Sequence, residues 1–270
     1  MKSCMFSKHL QEYSVTDMGK ALKNIGFDAV DLTVCKGGHV EPAEAAQKLP
    51  EAVAALKKVG VSVAMITTNI ILADDPLTRP ILETAKKLGI RYYKIGYYHY
   101  DGFGRLKAQL AEIKAKLRDI AALSKEIGIC GGYHNHSGRF IGACMSHVAH
   151  LLDGLDPKAI CAYFDIGHAT IEGIALGWLQ GFDEVADRVK MLAFKDLAVD
   201  YSNDEDRITT VPMGTGPVFW KRFAESLKKV EKQIGLVSYH GEYEGKSAKE
   251  VLELTKKDRQ FFEKIWGGSF

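Results

Sequence analysis

Apolar residues along this chain form short runs that alternate with longer amphipathic stretches. A recurring fragment marks the changes: a charged helix end, an apolar residue, a glycine and another apolar residue. Lysine in a last helical turn, followed by a glycine in the left-handed conformation, is typical of a helix end. The fragment predicts five transitions from helix to strand, at Gly26, Gly60, Gly89, Gly128 and Gly235.

An apolar strand is predicted after each of these glycines, and three other apolar runs have the same character. The eight predicted strands are 2–7, 29–33, 61–67, 91–97, 130–134, 159–165, 190–196 and 236–240. Amphipathic helices are predicted between them, for example at 43–59, interrupted at Pro50, and at 105–127. Asp75 and Pro76 predict the cap and the first residue of another helix.

Eight strands that alternate with helices along the chain predict a (β/α)8 barrel. The competing architecture is an open doubly wound sheet, which would place a glycine-rich phosphate loop after the first strand. That position reads Phe6-Ser7-Lys8-His9 instead. The sequence therefore predicts an α/β protein, a TIM barrel that forms a single domain over residues 1–270.

Composition and charge narrow the class of protein. The 270 residues carry a net charge of +2, with basic and acidic residues interleaved, which gives no electrostatic case for nucleic acid or an anionic membrane. No apolar run reaches the length of a membrane span, and the start, MKSCMFSKHL, has no signal-like apolar region. The five cysteines form no CxxC pair, which favours reduced thiols. We expect a cytoplasmic protein. The sequence does not decide whether an export signal has been removed or whether the protein forms a homo-oligomer.

Most of the nine histidines lie at or just past predicted strand ends, where TIM barrels carry their chemistry. In the segment GYHNHSG, His134 and His136 are two residues apart and share one face of an extended strand. Nearby Tyr97 is either rim packing or part of an aromatic wall for a sugar. Six histidines lie at or just past predicted strand ends: His39, His99, His134, His136, His168 and His240.

Charged residues end three of the apolar strands, in the segments YFDIGHA, LAFKDL and SYHGEYEG. A charge in such a position is unfavourable unless it is paired or bound to a metal. Asp165, Lys195 and Glu242 are therefore candidate site residues. Asp196 is explained equally well as the partner of a neighbouring base or as a cap of the next segment. Glu244 is explained as a side chain that is solvated or holds a loop.

Four motifs in register resemble the xylose-isomerase-like barrels, the sugar-phosphate isomerases and epimerases that share a superfamily with endonuclease IV. They are DIGHA at 165–169, FKD at 194–196, VPMGTGPVFW at 211–220 and the glutamate after the last strand. The resemblance spans essentially the whole chain. It implies the same barrel, a carbohydrate or cyclitol substrate and a divalent metal ion.

The resemblance also implies metal ligands, typically Glu, Asp, His and Glu from strands 5 to 8 of the barrel. Asp165 and Glu242 match two of these positions, whereas His134 stands in place of a carboxylate and Ala193 in place of the histidine. The expected metal ligands are therefore His134, Asp165 and Glu242, with His240, His136 or water as additional ligands. A histidine in place of a carboxylate weakens the affinity for Mg and favours Mn, Zn or similar ions such as Co.

The function expected from this resemblance is isomerisation or epimerisation of a sugar or keto-sugar, by proton abstraction next to a carbonyl. The expected catalytic residues are His134, Lys195 and Glu242, and the substrate contacts are His39, His136, His168 and His240. Dehydratase or lyase chemistry on a keto-sugar or keto-inositol is the main alternative, and a metal-free site centred on Lys195 is another. A sugar-binding barrel without activity and an endonuclease IV-like phosphodiesterase are weaker alternatives.

Overall fold

The computed structural model describes residues 1–200, 202 and 207–268, and eight parallel strands form a closed barrel. The barrel strands are β1 (Lys2–Phe6), β2 (Ala29–Val34), β3 (Ser62–Thr68), β4 (Tyr92–Lys94), β5 (Cys130–His134), β6 (Ile160–Asp165), β7 (Val189–Phe194) and β10 (Leu236–Tyr239). Their order around the barrel is β1-β10-β7-β6-β5-β4-β3-β2. The predicted TIM barrel is confirmed, and the predicted strands match the observed ones within a few residues.

Helices surround the barrel and bury their apolar faces against its strands, as the 3.6-residue pattern predicts. They are α1 (Val15–Asn24), α2 (Ala45–Lys58), α3 (Thr78–Lys87), α4 (Leu106–Ile127), α5 (Met145–Leu152), α6 (Ile166–Glu172), α7 (Gly177–Glu184), α8 (Trp220–Lys228) and α9 (Ala248–Trp266). None of the helices in the described part of the chain combines the length and apolarity that crossing a membrane requires.

A two-stranded antiparallel hairpin, which the sequence pattern did not predict, follows β7. Its strands are β8 (Asp196–Asp200) and β9 (Arg207–Val211), and they pair outside the barrel. The predicted seventh strand ran to Asp196, but β7 ends at Phe194 and Asp196 begins the hairpin. The chain therefore leaves the barrel wall at Lys195, next to the mouth.

Four of the five predicted helix-ending glycines have left-handed φ values between 77° and 91°: Gly26, Gly60, Gly89 and Gly128. Gly235 does not, so the prediction is wrong at this position. A side chain at Gly235 would collide with the hydroxyl of Tyr92. Close approach, and not backbone conformation, explains this glycine.

Helix α2 is not interrupted at Pro50, contrary to the sequence pattern. Pro50 lies inside a continuous helix, where its missing N–H removes one helical hydrogen bond. Leu49 and Leu56 on the same helix are completely buried. Packing of this apolar face against the barrel offsets the cost of the proline.

Helix α3 begins later than the Asp75-Pro76 pair predicts. The first helical residue is Thr78, and the carboxylate of Asp75 accepts a hydrogen bond from the backbone N–H of Leu77 at 2.8 Å. Asp75 thus closes a turn ahead of the helix instead of capping its first turn. The predicted helix is present, but its predicted start is wrong.

Candidate active site

Four neighbouring strands end in a polar residue that faces the barrel axis, either at the last strand position or at the residue just after it. Every second residue of a barrel strand faces the axis, and on these strands the lower inward positions hold small or apolar residues such as Cys161 and Met191. The residues at the mouth are His134 on β5, Asp165 on β6, Lys195 just after β7 and His240 just after β10. Strand alternation therefore brings them together in one layer.

Lys195 connects the two carboxylates of this layer. Its Nζ lies 3.3 Å from Oδ2 of Asp165 and 2.7 Å from Oε2 of Glu242, and its side chain is almost completely buried. Although burial alone lowers it, the two carboxylates raise the pKa of Lys195 above its ordinary value. The site therefore contains one ammonium that is shared by two carboxylates.

Asp165 is completely buried and surrounded by donors. Its Oδ2 lies 3.2 Å from Nε2 of His134, and its Oδ1 accepts the backbone N–H of His168 at 3.0 Å. Burial raises the pKa of this carboxyl, but Lys195 and the neighbouring histidines outweigh it and hold the pKa well below its usual range. Asp165 is therefore ionised at neutral pH.

The side chain of Asn135 fixes the backbone of this region. Its Nδ2 donates to the carbonyl of Asp165 at 3.0 Å, and its Oδ1 accepts the backbone N–H of the same residue at 2.7 Å. The amide thus pairs with the neighbouring strand as a backbone group would. This pairing continues the contact between β5 and β6 past His134.

The histidines of the site are uncharged at neutral pH. Burial lowers the pKa of His134 to about 3 and that of His136 to about 4. It also lowers the pKa of His240, and that of His168 to well below the ordinary value. Neutral imidazoles can accept protons or bind metals, whereas charged ones cannot.

Two tyrosines orient two of these imidazoles. The hydroxyl of Tyr97 lies 2.8 Å from Nδ1 of His134, and that of Tyr163 lies 2.8 Å from Nε2 of His240. Each ring is thereby held through one nitrogen, while the other nitrogen is directed elsewhere. Partners of this kind fix the orientation and the tautomer of a functional histidine.

One group of side chains fits a divalent metal ion. Ligand atoms of His134, Asp165 and His240 lie within 4.8 Å of one another. The buried Nδ1 of His240 has no hydrogen-bond partner among the described residues. Two neutral imidazoles and a carboxylate suit an ion such as Zn or Mn. Glu242, which we expected as a ligand, lies outside this group, and its carboxylate is paired with Lys195.

His136 and His168 lie side by side, with ring centroids 3.9 Å apart. Oγ of Ser137 lies 2.7 Å from Nδ1 of His168. The buried Nε2 of His168 makes no hydrogen bond among the described residues and lies 3.9 Å from Oδ2 of Asp165. The rings of Tyr97 and Phe140 pack against His136 at 4.9 and 4.7 Å between centroids. The histidine pair thus offers polar atoms beside an aromatic wall.

His39 lies farther round the rim than the other predicted contacts. Its Nδ1 is 3.0 Å from Oγ1 of Thr33, and its Nε2 has no partner among the described residues. The short helical turn after β1 instead brings Lys8 and His9 to Glu242, with nitrogens 3.3 and 3.9 Å from Oε1. Neither residue was recognisable as part of the site from the sequence pattern.

Beneath the mouth lies a second buried polar layer, which the sequence reasoning missed. Asp31 on β2 accepts hydrogen bonds from Thr67 at 2.8 Å and from Ser238 at 3.2 Å. Lys94 on β4 lies with its Nζ 3.5 Å from the centroid of the Tyr97 ring. Burial raises the pKa of Asp31 to about 7 and lowers the pKa of Lys94 to about 7. In the sequence, this layer is indicated by the single charged residue in each of the runs AVDLTV and YYK.

The raised pKa of Asp31 predicts a pH dependence of stability. An unfolded aspartate titrates near pH 4, so between about pH 4 and 7 the folded protein binds a proton that the unfolded chain does not. The stabilisation from this proton is complete at low pH and is lost as the pH rises through 7. We therefore compare the free energy of unfolding of the wild type with that of Asp31→Asn. Relative to the variant, the wild type is expected to lose about 3 kcal/mol of stability between pH 4.5 and 8. Urea unfolding of both proteins measures the difference, and a flat difference would contradict the burial of an ionisable Asp31.

A family model described as xylose isomerase-like TIM barrel matches residues 20–264 of the sequence. The chain belongs to the xylose isomerase-like TIM barrel family. The resemblance inferred from the four motifs is thereby confirmed. No protein of curated function matches the sequence.

Solved structures share this fold at low sequence identity. The apo form of 3-keto-D-glucoside 4-epimerase from E. coli is 14% identical, with a TM-score of 0.71, over 96% of this chain and 99% of that one. The probable 3-DHS dehydratase AsbF from Bacillus anthracis is 17% identical, with a TM-score of 0.70, over 95% and 98%. A xylose isomerase-like TIM barrel protein from Mycobacterium smegmatis, in complex with magnesium, is 12% identical, with a TM-score of 0.70, over 96% and 90%. At these identities the similarity shows a common fold.

The loop that carried part of the resemblance to the xylose isomerase-like family is held by Asp196. Its Oδ2 accepts the backbone N–H groups of Gly214 and Gly216 at 3.0 and 3.2 Å, and the indole N–H of Trp220 at 3.0 Å. A side chain at Gly216 would collide with this carboxylate. Asp196 therefore anchors the loop after the hairpin, which agrees with its interpretation as a cap of the next segment.

Proposed function

We propose that this protein isomerises or epimerises a sugar or keto-sugar by moving a proton next to a carbonyl group. The observation that carries the proposal is the position of Lys195, which lies 2.7 Å from Glu242 and 3.3 Å from Asp165 at the mouth. A carboxylate beside a buried ammonium offers a base and an electrostatic stabiliser for the oxygen on which charge develops.

Glu242 is the proposed base. Its side chain is 20% exposed, whereas Asp165 is completely buried, so Glu242 is the carboxylate that a substrate can reach. Burial opposes ionisation, but Lys195 and His240 hold the pKa of Glu242 well below its usual range. It is therefore ready to accept a proton at neutral pH.

Lys195 and His134 complete the proposed chemistry. The ammonium of Lys195 would stabilise the enediolate oxygen formed when the proton leaves. His134 approaches from β5, separated from β10 in the barrel by β6 and β7, so it faces a different side of the mouth than Glu242. Because its imidazole is uncharged, it would take up a proton from solvent at one nitrogen before it delivers one to the substrate. Proton return on the same carbon with inversion gives epimerisation, and return on the neighbouring carbon gives isomerisation.

A divalent metal ion is the proposed alternative to Lys195 as the stabiliser of the enediolate; His134, Asp165 and His240 would hold it, with Glu242 as a further candidate. When bound, such an ion would polarise the substrate carbonyl as a Lewis acid. The two imidazoles favour Mn, Zn or Co over Mg, although the similar protein from Mycobacterium smegmatis was solved with magnesium. The identity of the ion is thus part of the proposal.

A small carbohydrate or cyclitol is the proposed substrate. The polar atoms of His136, His168 and His240 would contact its hydroxyl groups, while Tyr97 and Phe140 would flank its carbon skeleton. His39 is proposed as a contact only for a substrate that extends along the rim towards β2. The 3-keto-D-glucoside 4-epimerase among the similar structures supports a keto-sugar. The 3-DHS dehydratase supports elimination as the second candidate reaction.

Exchange of substrate hydrogen with solvent deuterium tests this proposal. We expect Glu242→Gln to lower the exchange rate by roughly 100-fold or more on a reactive keto-sugar, since general-base removal typically costs that much. The matched control is Glu244→Gln, because Glu244 is an exposed carboxylate only two residues away. Measurement by NMR on a panel of keto-sugars and inososes also distinguishes the reactions, since elimination gives an unsaturated product.

Two results would contradict the proposal. One is the absence of exchange with every member of the panel in the wild type, which would favour a barrel that binds a sugar without transforming it. The other is equal exchange by Glu242→Gln and Glu244→Gln, which would remove Glu242 from the role of base.

A further inference from the structure

The ammonium of Lys195 lies beside the group of side chains that fits a metal ion. Its Nζ is 3.3 Å from Oδ2 of Asp165, the same oxygen that lies 3.2 Å from Nε2 of His134. The side chain of Lys195 is 3% exposed, so little water screens its charge. A divalent ion bound to this oxygen would therefore meet a strongly repulsive neighbour.

The protons around Asp165 lead to the same conclusion. Nε2 of His134 lies 3.2 Å from Oδ2 of Asp165, and because an ionised carboxylate only accepts, this contact is a hydrogen bond in the tautomer that carries the proton on Nε2. Nδ1 of His134 is then the acceptor of the hydrogen bond from the Tyr97 hydroxyl. Binding of a metal to Nε2 would require the proton to leave this nitrogen, which would reverse the bond to Tyr97.

Glu242 shares the same cation. Its Oε2 lies 2.7 Å from Nζ of Lys195, while its other oxygen faces the partly exposed Lys8 at 3.3 Å. The two carboxylates that would attract a metal ion are thus already compensated by one buried ammonium. Together, these contacts give both carboxylates a cation from within the chain itself.

We propose that Lys195 is the built-in cation of this site and that a divalent metal ion binds only in competition with it. The inference rests on the proposed function for the location of the active site, but its test measures binding and not turnover. In this proposal Lys195 supplies the positive charge of the site. The histidines would bind a metal ion only when the ammonium of Lys195 is displaced or removed.

The test is a metal titration of the full chain after treatment with a chelator. We expect Lys195→Met to bind MnCl2 and ZnCl2 more tightly than the wild type by on the order of 100-fold, because one nearby positive charge is removed. Isothermal titration calorimetry measures the affinity. The matched control is Lys8→Met, which removes an exposed charge from the same carboxylate and should change the affinity less than about fivefold.

Thermal unfolding with and without each metal gives a second readout in case Lys195→Met folds poorly. Competition predicts that Mn or Zn raises the melting temperature of Lys195→Met more than that of the wild type, and restores its fold if the fold is lost. An unchanged or weaker affinity in Lys195→Met overturns the proposal, as does a variant that remains unfolded with either metal. Neither result depends on whether a substrate has been found, so failure of the proposed reaction is recognised separately.

Discussion

Replacing Lys195 by methionine is expected to remove most of the activity and also to destabilise the protein. Loss of one preorganised charge beside a developing oxyanion lowers kcat by roughly 100- to 1,000-fold. The same change leaves Asp165 and Glu242 without their shared ammonium. Removing one partner of a buried ion pair costs about 3–5 kcal/mol in the free energy of unfolding.

The two effects are separated by measuring the melting temperature and the solvent deuterium exchange on the same folded sample. Lys8→Met is the control, since it keeps the buried ammonium and removes an exposed one. A destabilised Lys195→Met protein that exchanges at the wild-type rate would rule out the catalytic role. A stable protein without exchange would instead show that the two carboxylates tolerate the loss of their partner.

Replacing Asp196 by alanine is expected to lower the free energy of unfolding by about 2 kcal/mol or more, through the loop after the hairpin. The change leaves the backbone N–H groups of Gly214 and Gly216 and the indole N–H of Trp220 without their common acceptor. The indole N–H of Trp220 is buried, as is the backbone N–H of Val218, which Asp196 accepts at 3.4 Å, and each would cost about 1–3 kcal/mol without a partner. Gly214 is exposed and Gly216 is half-buried, so water can replace the carboxylate there. Urea unfolding measures the loss. Asp200→Ala is the control, because Asp200 lies on the same strand but is exposed, and an equal loss in both variants would contradict the anchoring role.

The barrel could be predicted because its information is local and repeated. Left-handed glycines after the helices and apolar runs at regular spacing each recur along the chain, so single errors such as Pro50 and Gly235 did not change the result. The hairpin was missed for the opposite reason. Its first strand, β8, follows β7 after a single residue, and the apolar pattern continues through both.

Part of the candidate site could also be read from the sequence. Asp165 and Lys195 were recognisable as charges at the ends of apolar strands, and strand alternation explains why they meet. Their pairing depends on the stagger between strands that are distant in sequence, so the sequence does not decide it. His240, which we named only as an additional ligand, joins His134 and Asp165 because β10 pairs with β7 and β7 pairs with β6.

The second buried layer shows what sequence patterns alone conceal. Asp31 lies within β2, and Lys94 lies within the predicted strand 91–97, although β4 itself ends at Lys94, so we did not consider either as a site residue. Tyr163 likewise read as an ordinary apolar position, although its hydroxyl orients His240. Their roles arise from neighbours across the barrel, which no local spacing records.

The side-chain amide of Asn135 reduces the ordering of the site that a substrate must cause when it binds. Because Asn135 joins β5 to the backbone of Asp165 at two points, the separation between His134 and Asp165 does not depend on their own weak contact. The two side chains keep their places when protons move between them, or when a ligand takes one of them as a partner. Little conformational entropy is then lost on binding at this edge of the mouth, so binding energy remains for positioning the reacting carbon atom.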